Sequence, residues 1–243
     1  MFTILHLDHT VFKMAAPRSG SFTWDAAIEQ AEHAALGQMR VPSQPYDAAL
    51  LRLSPAARFA RLASAGAQPT QGGESDFLRL RYEALYRGTA TVRPRLTAGL
   101  RRIFPKPPVP MVDGAYRPPH PDQVAVAAVV TQHPCACMHL VLHRAGLGLE
   151  IPERMVFGPE KLKNPDEIPE NDALKRLLAL AITHSDGEKG KITLISDQNA
   201  GIDAGNELGI GRCIRYYPRS LNVEMPHDGT SHVLRSWRGF SLK

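Results

Sequence analysis

One segment near the middle of this 243-residue chain is set apart by its charge and its prolines. Between positions 40 and 120 lie thirteen basic residues, twelve of them arginines, against five acidic ones, although the whole chain carries only +5. The segment returns through two proline-rich stretches, PKPPVP at 105–110 and YRPPHP at 116–121, which favour extended linkers. Any fold for this chain must therefore accommodate a long basic insertion.

The spacing of apolar residues predicts the elements around and within this segment. A strand over Phe2–Phe12 precedes a helix over Trp24–Met39, for which Thr23 is the expected N-cap. Helical pieces are predicted within the insertion at 47–65, with a break at Ser54–Pro55, at 74–86 and at 91–104. The remaining predictions are strands at 124–131, 138–144, 191–196, 212–217 and 233–242, a helix at 171–184, and turns at the glycines of 201–211.

The order of these elements is strand, helix, long insertion, two strands, helix and further strands. This order is typical of an α+β domain with a ferredoxin-like or RNA-recognition-motif core. We therefore expect residues 1–41 and 122–243 to form that core. Residues 42–121 are expected to form an arginine-rich α-helical insertion with a proline-rich return linker.

Composition excludes several classes of protein. No run approaches the roughly 18 apolar residues of a membrane span, and Asp8 and His9 interrupt the apolar opening that a signal peptide would need. Three cysteines are too few for a disulfide framework. We expect a cytoplasmic protein with no membrane partner.

The arginine excess favours RNA or another nucleic acid as the partner. A guanidinium group binds two phosphate oxygens at once and stacks on bases, whereas a solvated helix face is the alternative explanation. The arginines of the insertion that we expect to bind RNA are Arg52, Arg58, Arg61, Arg79, Arg81, Arg87, Arg93, Arg95, Arg101 and Arg102.

The carboxyl-terminal residues suggest a second RNA contact. Arg238-Gly239-Phe240 matches the opening of an RNP1 element, in which a basic residue and an aromatic one lie on a strand that stacks bases. Arg235 and Trp237 extend this strip. A plain edge strand would explain the same residues.

His33 and Arg40 are the candidate catalytic pair from spacing alone. Seven residues separate them, so both would project from one face of the first helix. A general base and a cation that stabilises the phosphate are what RNA cleavage without a metal requires. The alternative is a half-buried polar histidine, and His6 and His9 are weaker candidates.

A cluster of cysteine and histidine residues, Cys135, Cys137, His139 and His143, has ligand types that bind zinc. Its spacing does not favour a metal, because a zinc knuckle separates its ligands by two to four residues. A cysteine nucleophile paired with His184 or His227 is a further alternative. Phosphate-binding, nucleophile-elbow and dinucleotide motifs are absent from the sequence, so we expect no metal and no cofactor.

Taken together, the strand-first core, the helix histidine and the arginine-rich insertion resemble the CRISPR RNA-processing endoribonucleases, particularly the type IV representatives with a helical finger. The resemblance implies metal-independent cleavage of a repeat hairpin to a 2′,3′-cyclic phosphate, and retention of the crRNA with other CRISPR effector subunits. It also implies that His33 is the general base and that Arg18, Arg40 and Arg238 stabilise the phosphate.

Two other functions stay open. A nucleic-acid-binding subunit without catalysis, such as a CRISPR backbone-like or plasmid replication protein, would need the arginines and not the histidine. A cysteine-dependent bacterial effector would need neither.

Overall fold

The computed structural model describes residues 2–6, 12–15, 22–41, 49–50, 53–64, 72–96, 126–148, 150–185, 188–217, 225–227 and 232–236. Its helices are α1 (Trp24–Gln38), α2 (Pro55–Ser64), α3 (Glu74–Thr91), α4 (Cys135–Arg144), α5 (Glu170–His184) and α6 (Asn199–Glu207). Its strands are β1 (Phe2–His6), β2 (Phe12–Ala15), β3 (Arg93–Leu96), β4 (Val126–Val130), β5 (Val156–Phe157), β6 (Ile192–Ser196), β7 (Arg212–Tyr216) and β8 (Val233–Leu234).

Six of these strands form one sheet in the order β5-β4-β1-β6-β7-β8. Every neighbouring pair in it runs parallel. Strands β2 and β3 form a separate antiparallel pair. Because parallel neighbours need long crossover connections, the helices lie between the strands in sequence and cover the sheet in space.

Alternate residues of the central strands face opposite sides of the sheet. Leu5 and Ile195 pack with α1, α3 and α4 in one buried cluster. Ile4 and Leu194 pack with α5 and α6 in another. Burial on both faces explains why these strands are apolar on both sides. The result is a three-layer α/β fold.

Helix α1 joins the sheet to the other helices of the chain's first half. It begins after Thr23, whose Oγ1 accepts the N–H of Ala26 at 3.2 Å. Its buried Leu36 belongs to a cluster that includes Phe59 of α2 and Phe77 of α3. These two phenyl rings stack with centroids 4.9 Å apart. The predicted division into a core and an insertion at residues 42–121 stays a prediction.

The predicted ferredoxin-like or RNA-recognition-motif core, with its α+β class, is wrong. Folds of the α+β class segregate helices to one side of an antiparallel sheet, whereas this sheet is parallel and covered on both faces. The error came largely from residues 138–144, which were predicted as a strand and belong to α4. A helix there makes the order alternate between strand and helix, which is the signature of a parallel sheet.

The structure confirms most of the other predicted helices and strands and contradicts some of them. The structure confirms the first helix, its N-cap, the start of a helix at Pro55, the helix near 171–184 and the strands near 124–131, 191–196 and 212–217. The helix predicted at 74–86 continues to Thr91. Two predictions are wrong: a single strand over 2–12, since β1 and β2 belong to different sheets, and a helix over 91–104, since β3 lies in its described part. Of the turns predicted at the glycines of 201–211, those at Gly201 and Gly205 are wrong because both lie in α6, whereas the turn at Gly209 is confirmed. Of the strand predicted at 233–242, β8 is its start and residues 237–242 lie outside the described residues.

No helix in the described ranges is long and apolar enough to cross a membrane.

Candidate functional site

The order of the parallel strands places a ligand site at one edge of the sheet. From β1 the chain continues to β4 and β5 on one side, and then crosses to β6, β7 and β8 on the other side. The order in which strands are added to the sheet therefore reverses between β1 and β6. In open α/β sheets, ligands bind outside the carboxyl ends of the strands at this point.

Three polar residues meet at that edge. His6 ends β1 and Ser196 ends β6, and the two are direct partners in the parallel register. The Nδ1 atom of His6 lies 3.0 Å from Ser196 Oγ. The N–H of Asp197, the next residue, donates to the carbonyl of His6 at 3.1 Å. All three residues are buried, with exposed fractions of 0%, 0% and 2% respectively.

Ser196 Oγ also contacts Gln198, at 3.1 Å from its N–H and 3.0 Å from its carbonyl oxygen. The hydroxyl has one hydrogen, which it donates either to that carbonyl or to His6 Nδ1. When it goes to the carbonyl, which can only accept, Nδ1 of His6 must carry the imidazole proton and Nε2 is the basic nitrogen. In that arrangement His6 donates to Ser196, and Ser196 donates to the Gln198 carbonyl.

Helix α6 begins directly beyond these residues. Its first residue, Asn199, accepts a hydrogen bond from Arg215 Nε of β7 at 3.1 Å and donates one to the Met225 carbonyl at 2.8 Å. Gly201 lies in its first turn. A side-chain Cβ there would lie 2.7 Å from His6 Nδ1 and would collide with Ser196 Oγ. Only a glycine therefore allows the helix to begin this close to the pair.

A cleft of about 310 Å³ opens along the same edge, between α2 and α3 and the segments that follow β4 and β5. His133, three residues beyond β4, lies in its wall, and its ring stacks on Trp24 with centroids 4.0 Å apart. Its polar lining residues include Arg58, Arg79, Arg81, Tyr82, Glu160 and Asp166.

A buried ion-pair triad lies beneath this cleft. Glu32 of α1 is fully buried, and its Oε1 accepts from Arg58 Nε at 2.9 Å and from Arg81 Nε at 2.7 Å. Arg58 also donates to the Leu53 carbonyl at 2.8 Å. Both arginines are buried, with exposed fractions of 3% and 9%.

Glu160 lies on the opposite wall, where helix α4 begins. Both oxygens of its carboxylate accept the backbone N–H of Cys135, at 2.9 and 3.0 Å. A carboxylate at a helix N-terminus is stabilised by the helix dipole. Glu160 is therefore held in place by the core of the protein.

The predicted RNA-binding arginines are mostly paired with the protein's own carboxylates or lie outside the described part of the chain. Besides Arg58 and Arg81, Arg79 pairs with Asp76 and Glu83, and Arg87 pairs with Glu83. Arg61 and Arg235 are exposed, and Arg93 and Arg95 lie on β3. The predicted residues outside the described ranges are Arg18, Arg52, Arg101, Arg102, Trp237 and Arg238.

The structure does not place His33 and Arg40 on one helix face. Helix α1 ends at Gln38, and Arg40 has a left-handed backbone with φ of 57°. The spacing argument required the helix to continue through Arg40. His33 Nε2 instead lies 3.7 Å from Glu29 Oε1 on the same helix.

The cysteines and histidines of 135–143 lie on α4. Within the described ranges, no three His, Cys, Asp or Glu side chains are placed to hold a metal ion. Burial, and then the Glu160 carboxylate, raises the pKa of Cys135 to about 12, and burial raises the pKa of Cys137 to about 11. Both thiols therefore stay protonated at neutral pH, which disfavours a metal ligand or a nucleophile.

No family model and no curated protein matches the chain. Solved structures do match it. CbbY from Rhodobacter sphaeroides in complex with phosphate is 13% identical, with a TM-score of 0.63 over 98% of this chain and 95% of that one. An Asp-to-Asn variant of CbbY in complex with xylulose-(1,5)bisphosphate is 15% identical, with a TM-score of 0.62 over the same shares. A 2-haloacid dehalogenase from Pseudomonas syringae pv. Tomato is 14% identical, with a TM-score of 0.54 over 97% and 94%.

These similarities identify the class of the fold. The chain has the Rossmann-like α/β fold of the haloacid dehalogenase (HAD) structures, with a six-stranded parallel sheet, across nearly its whole length.

This fold overturns the resemblance to CRISPR endoribonucleases, because the ferredoxin-like core on which it depended is absent from the described chain. The predictions of an RNA partner, effector-complex subunits and RNA cleavage are wrong with it.

Sequence reasoning missed Ser196 and Asp197, and ranked His6 low. The available signal was a run of apolar strand residues ending directly in polar ones.

Proposed function

We propose that the chain binds a phosphorylated small molecule at the carboxyl ends of β1 and β6 and hydrolyses its phosphate ester. The observation that carries this proposal is the meeting of His6, Ser196 and Asp197 with the start of α6 at the crossover of the sheet. The complexes of CbbY with phosphate and with a sugar bisphosphate support the choice of ligand, since CbbY shares the fold.

The start of α6 offers the phosphate an electrostatic site. The first N–H groups of a helix have no partners within the helix and carry partial positive charge, so anions bind there. Asn199 and Gly201 fix this helix against β7 and against the His6–Ser196 pair. The site is therefore built on the core of the protein.

Hydrolysis of a phosphate ester adds water across the P–O bond, so the phosphorus gains a hydroxyl and the leaving alcohol gains a proton. Both transfers need a positioned side chain that accepts or donates a proton. Among the described residues at this edge, the imidazole of His6 and the carboxylate of Asp197 are groups that can accept or donate a proton. We assign proton transfer to them collectively.

Binding without turnover is the second candidate, and one observation favours it. None of His6, Ser196 and Asp197 is more than 2% exposed, so a reacting phosphate must open the edge to reach them. In that case the chain would hold the phosphorylated molecule without cleaving it.

Phosphate release from p-nitrophenyl phosphate and from sugar mono- and bisphosphates tests the proposal, with parallel assays in MgCl2 and in EDTA. Asp197→Asn, which preserves size, should lower kcat by roughly 10²–10⁴ if this carboxylate transfers a proton. The matched control is Asp203→Asn on the exposed side of α6, where the carboxylate lies 2.7 Å from His227 Nε2.

The results separate the two candidates. Binding of a sugar phosphate without phosphate release would support the second one. Neither binding nor release would refute both, and equal losses in the two variants would remove Asp197 from the site.

A further inference from the structure

We propose that the outer face of α5 is a docking surface for an acidic protein segment that carries apolar side chains. The surface is a shallow groove of about 350 Å³ between α5 and the residues that follow β5. We call it the α5 groove, and its lining includes Lys161, Leu162, Lys163, Arg176, Ala179 and Leu180. The inference does not depend on the proposed function, whose residues follow β1 and β6.

The groove exists because only one side of α5 is used by the core. The residues of α5 that pack against the sheet are Leu174, Leu177, Leu178, Ala181 and Ile182. Ala179 and Leu180 follow Arg176 by three and four positions, so the three lie together on another side of the helix. Leu180 is 39% exposed, and with the half-buried Leu162 and Ala179 it gives the groove an apolar floor.

The groove carries three positive charges, those of Lys161, Lys163 and Arg176, and no carboxylate among the described residues that line it. All three side chains are exposed, and neither Lys163 nor Arg176 makes a hydrogen bond or ion pair to a described residue. The exposed Arg87 of α3, in contrast, pairs with Glu83. A partner that brings carboxylates to this groove would therefore meet complementary charge.

Lys161 is held in position at the rim of the groove. Its Nζ donates to the Arg154 carbonyl at 3.0 Å and lies 4.2 Å from the centre of the Phe157 ring. An ammonium group has three donors, so two are left for the carboxylate of a partner. Because this cation is already positioned, it loses less side-chain entropy when a partner binds.

The shape of the groove favours a protein segment over a bilayer. Apolar residues that enter a bilayer protrude from the surface, whereas Leu162 and Ala179 lie half-buried below the three cations. From Arg176 to Thr183 the groove follows α5 for about 10 Å, which matches two turns of a docked helix or about three extended residues. A contact of that length buries less than the roughly 1,200 Å² of a stable interface, so we expect reversible binding.

Fluorescence anisotropy of the whole chain with three labelled peptides tests the inference. Each peptide has about 14 residues, or four helical turns. The first combines a leucine face with glutamates, the second has lysines in place of the glutamates, and the third has serines in place of the leucines. We expect the first to bind about tenfold or more tightly than the others, and to bind less tightly as the NaCl concentration rises. Equal binding of the first and third, or binding of neither, would overturn the inference.

Arg176→Gln should weaken binding of the first peptide about two- to fivefold, as the loss of an exposed ion pair predicts. Lys175→Gln is the matched control, because Lys175 lies on the same helix, pairs with Glu207 and does not line the groove. Equal losses in the two variants would show a general charge effect and contradict docking in the groove.

Leu180→Ser tests the apolar part of the contact. We expect a loss of about fivefold or more for the first peptide, because a leucine side chain would no longer be covered by it. Val233→Ser is the control, since Val233 is 42% exposed and lies on β8, outside the groove. Unchanged affinity in Leu180→Ser, with the urea midpoints of both variants preserved, would contradict an apolar contact here.

Other occupants of the groove would give different results. Binding to vesicles of anionic lipid that Arg176→Gln weakens, without binding of the first peptide, would assign the groove to a membrane surface. Self-association of the chain that Leu180→Ser weakens, again without peptide binding, would assign it to a second copy. Either result would overturn the choice of a separate acidic segment.

Discussion

Glu32 is a buried charge through which α1 contacts both α2 and α3. Its Oε1 compensates two buried guanidinium groups that come from two different helices. Glu32→Gln would keep the shape but leave both arginines without their carboxylate. We expect a loss of about 3–5 kcal/mol in the free energy of unfolding, measured by urea denaturation.

Glu83→Gln is the control for that change. Glu83 also pairs with two arginines, Arg79 and Arg87, but its side chain is 42% exposed. Exposed pairs contribute about 1 kcal/mol or less. Similar losses for Glu32→Gln and Glu83→Gln would contradict the burial of the triad.

The three cysteines should be unreactive in the folded chain. Burial raises the pKa of Cys135 to about 12 and those of Cys137 and Cys213 to about 11, from an ordinary value of 9.0. At pH 8 we expect Ellman's reagent to label them slowly in the native protein and rapidly in denaturant. Fast labelling of one native thiol would show an exposed thiolate instead.

These thiols also link stability to pH. Each folded thiol keeps its proton at a pH where the unfolded thiol has lost it. Their contribution is therefore complete below about pH 9 and is lost as the pH rises towards 11–12. Triple replacement by serine should remove this part of the alkaline decline, as followed by denaturation at several pH values.

At the residue scale, the sequence could predict local interactions and not distant ones. Thr23 was found as an N-cap because its partner is three residues away. The arginines were found as a group, but Glu32 lies 26 residues from Arg58 and 49 from Arg81. Arg58 and Arg81 are buried beside Glu32 because of the way in which α1, α2 and α3 pack, and the sequence does not show that packing.

At the scale of elements, the start of α6 positions the candidate site. Gly201→Ala would push a methyl group against His6 and Ser196. We expect a loss of about 1–3 kcal/mol in the free energy of unfolding, from overpacking. If the proposed function is right, turnover should fall as well, because the helix start would move away from the pair.

Gly37→Ala in α1 is the matched control, because a Cβ at Gly37 meets no atom within 4 Å. Alanine favours helix there, so a gain of up to about 0.5–1 kcal/mol is expected. A neutral Gly201→Ala would show that α6 does not approach β1 as closely as described.

Two helices were predicted wrongly from the sequence: α4, which contains a short apolar run, and α6, which contains glycines. Residues 138–144 were read as a strand because the run is short and apolar, yet buried Met138, Val141 and Leu142 follow helical spacing. Gly201 and Gly205 suggested turns, whereas in α6 they allow contact with the strands below. Packing against the sheet decided these elements, and local propensity did not.

At the scale of the whole molecule, one misassigned helix changed the fold class and with it the function. Alternating strands and helices produce a parallel sheet, and the crossover of that sheet brings together residues 190 positions apart, His6 and Ser196. No spacing rule within the sequence joins them. Residues 40–120 do carry an excess of positive charge. Whether those arginines bind a partner or pair with the protein's own carboxylates depends on the fold, which composition does not specify.

The proposed function requires the edge between β1 and β6 to be an oxyanion site for phosphate esters. Crystals of the chain soaked with tungstate, a phosphate mimic of high scattering power, test it most directly. We expect anomalous density at the start of α6, within hydrogen-bond reach of the Ser196–Asn199 segment. Density confined to other surfaces, with this edge empty at saturating tungstate, would contradict it.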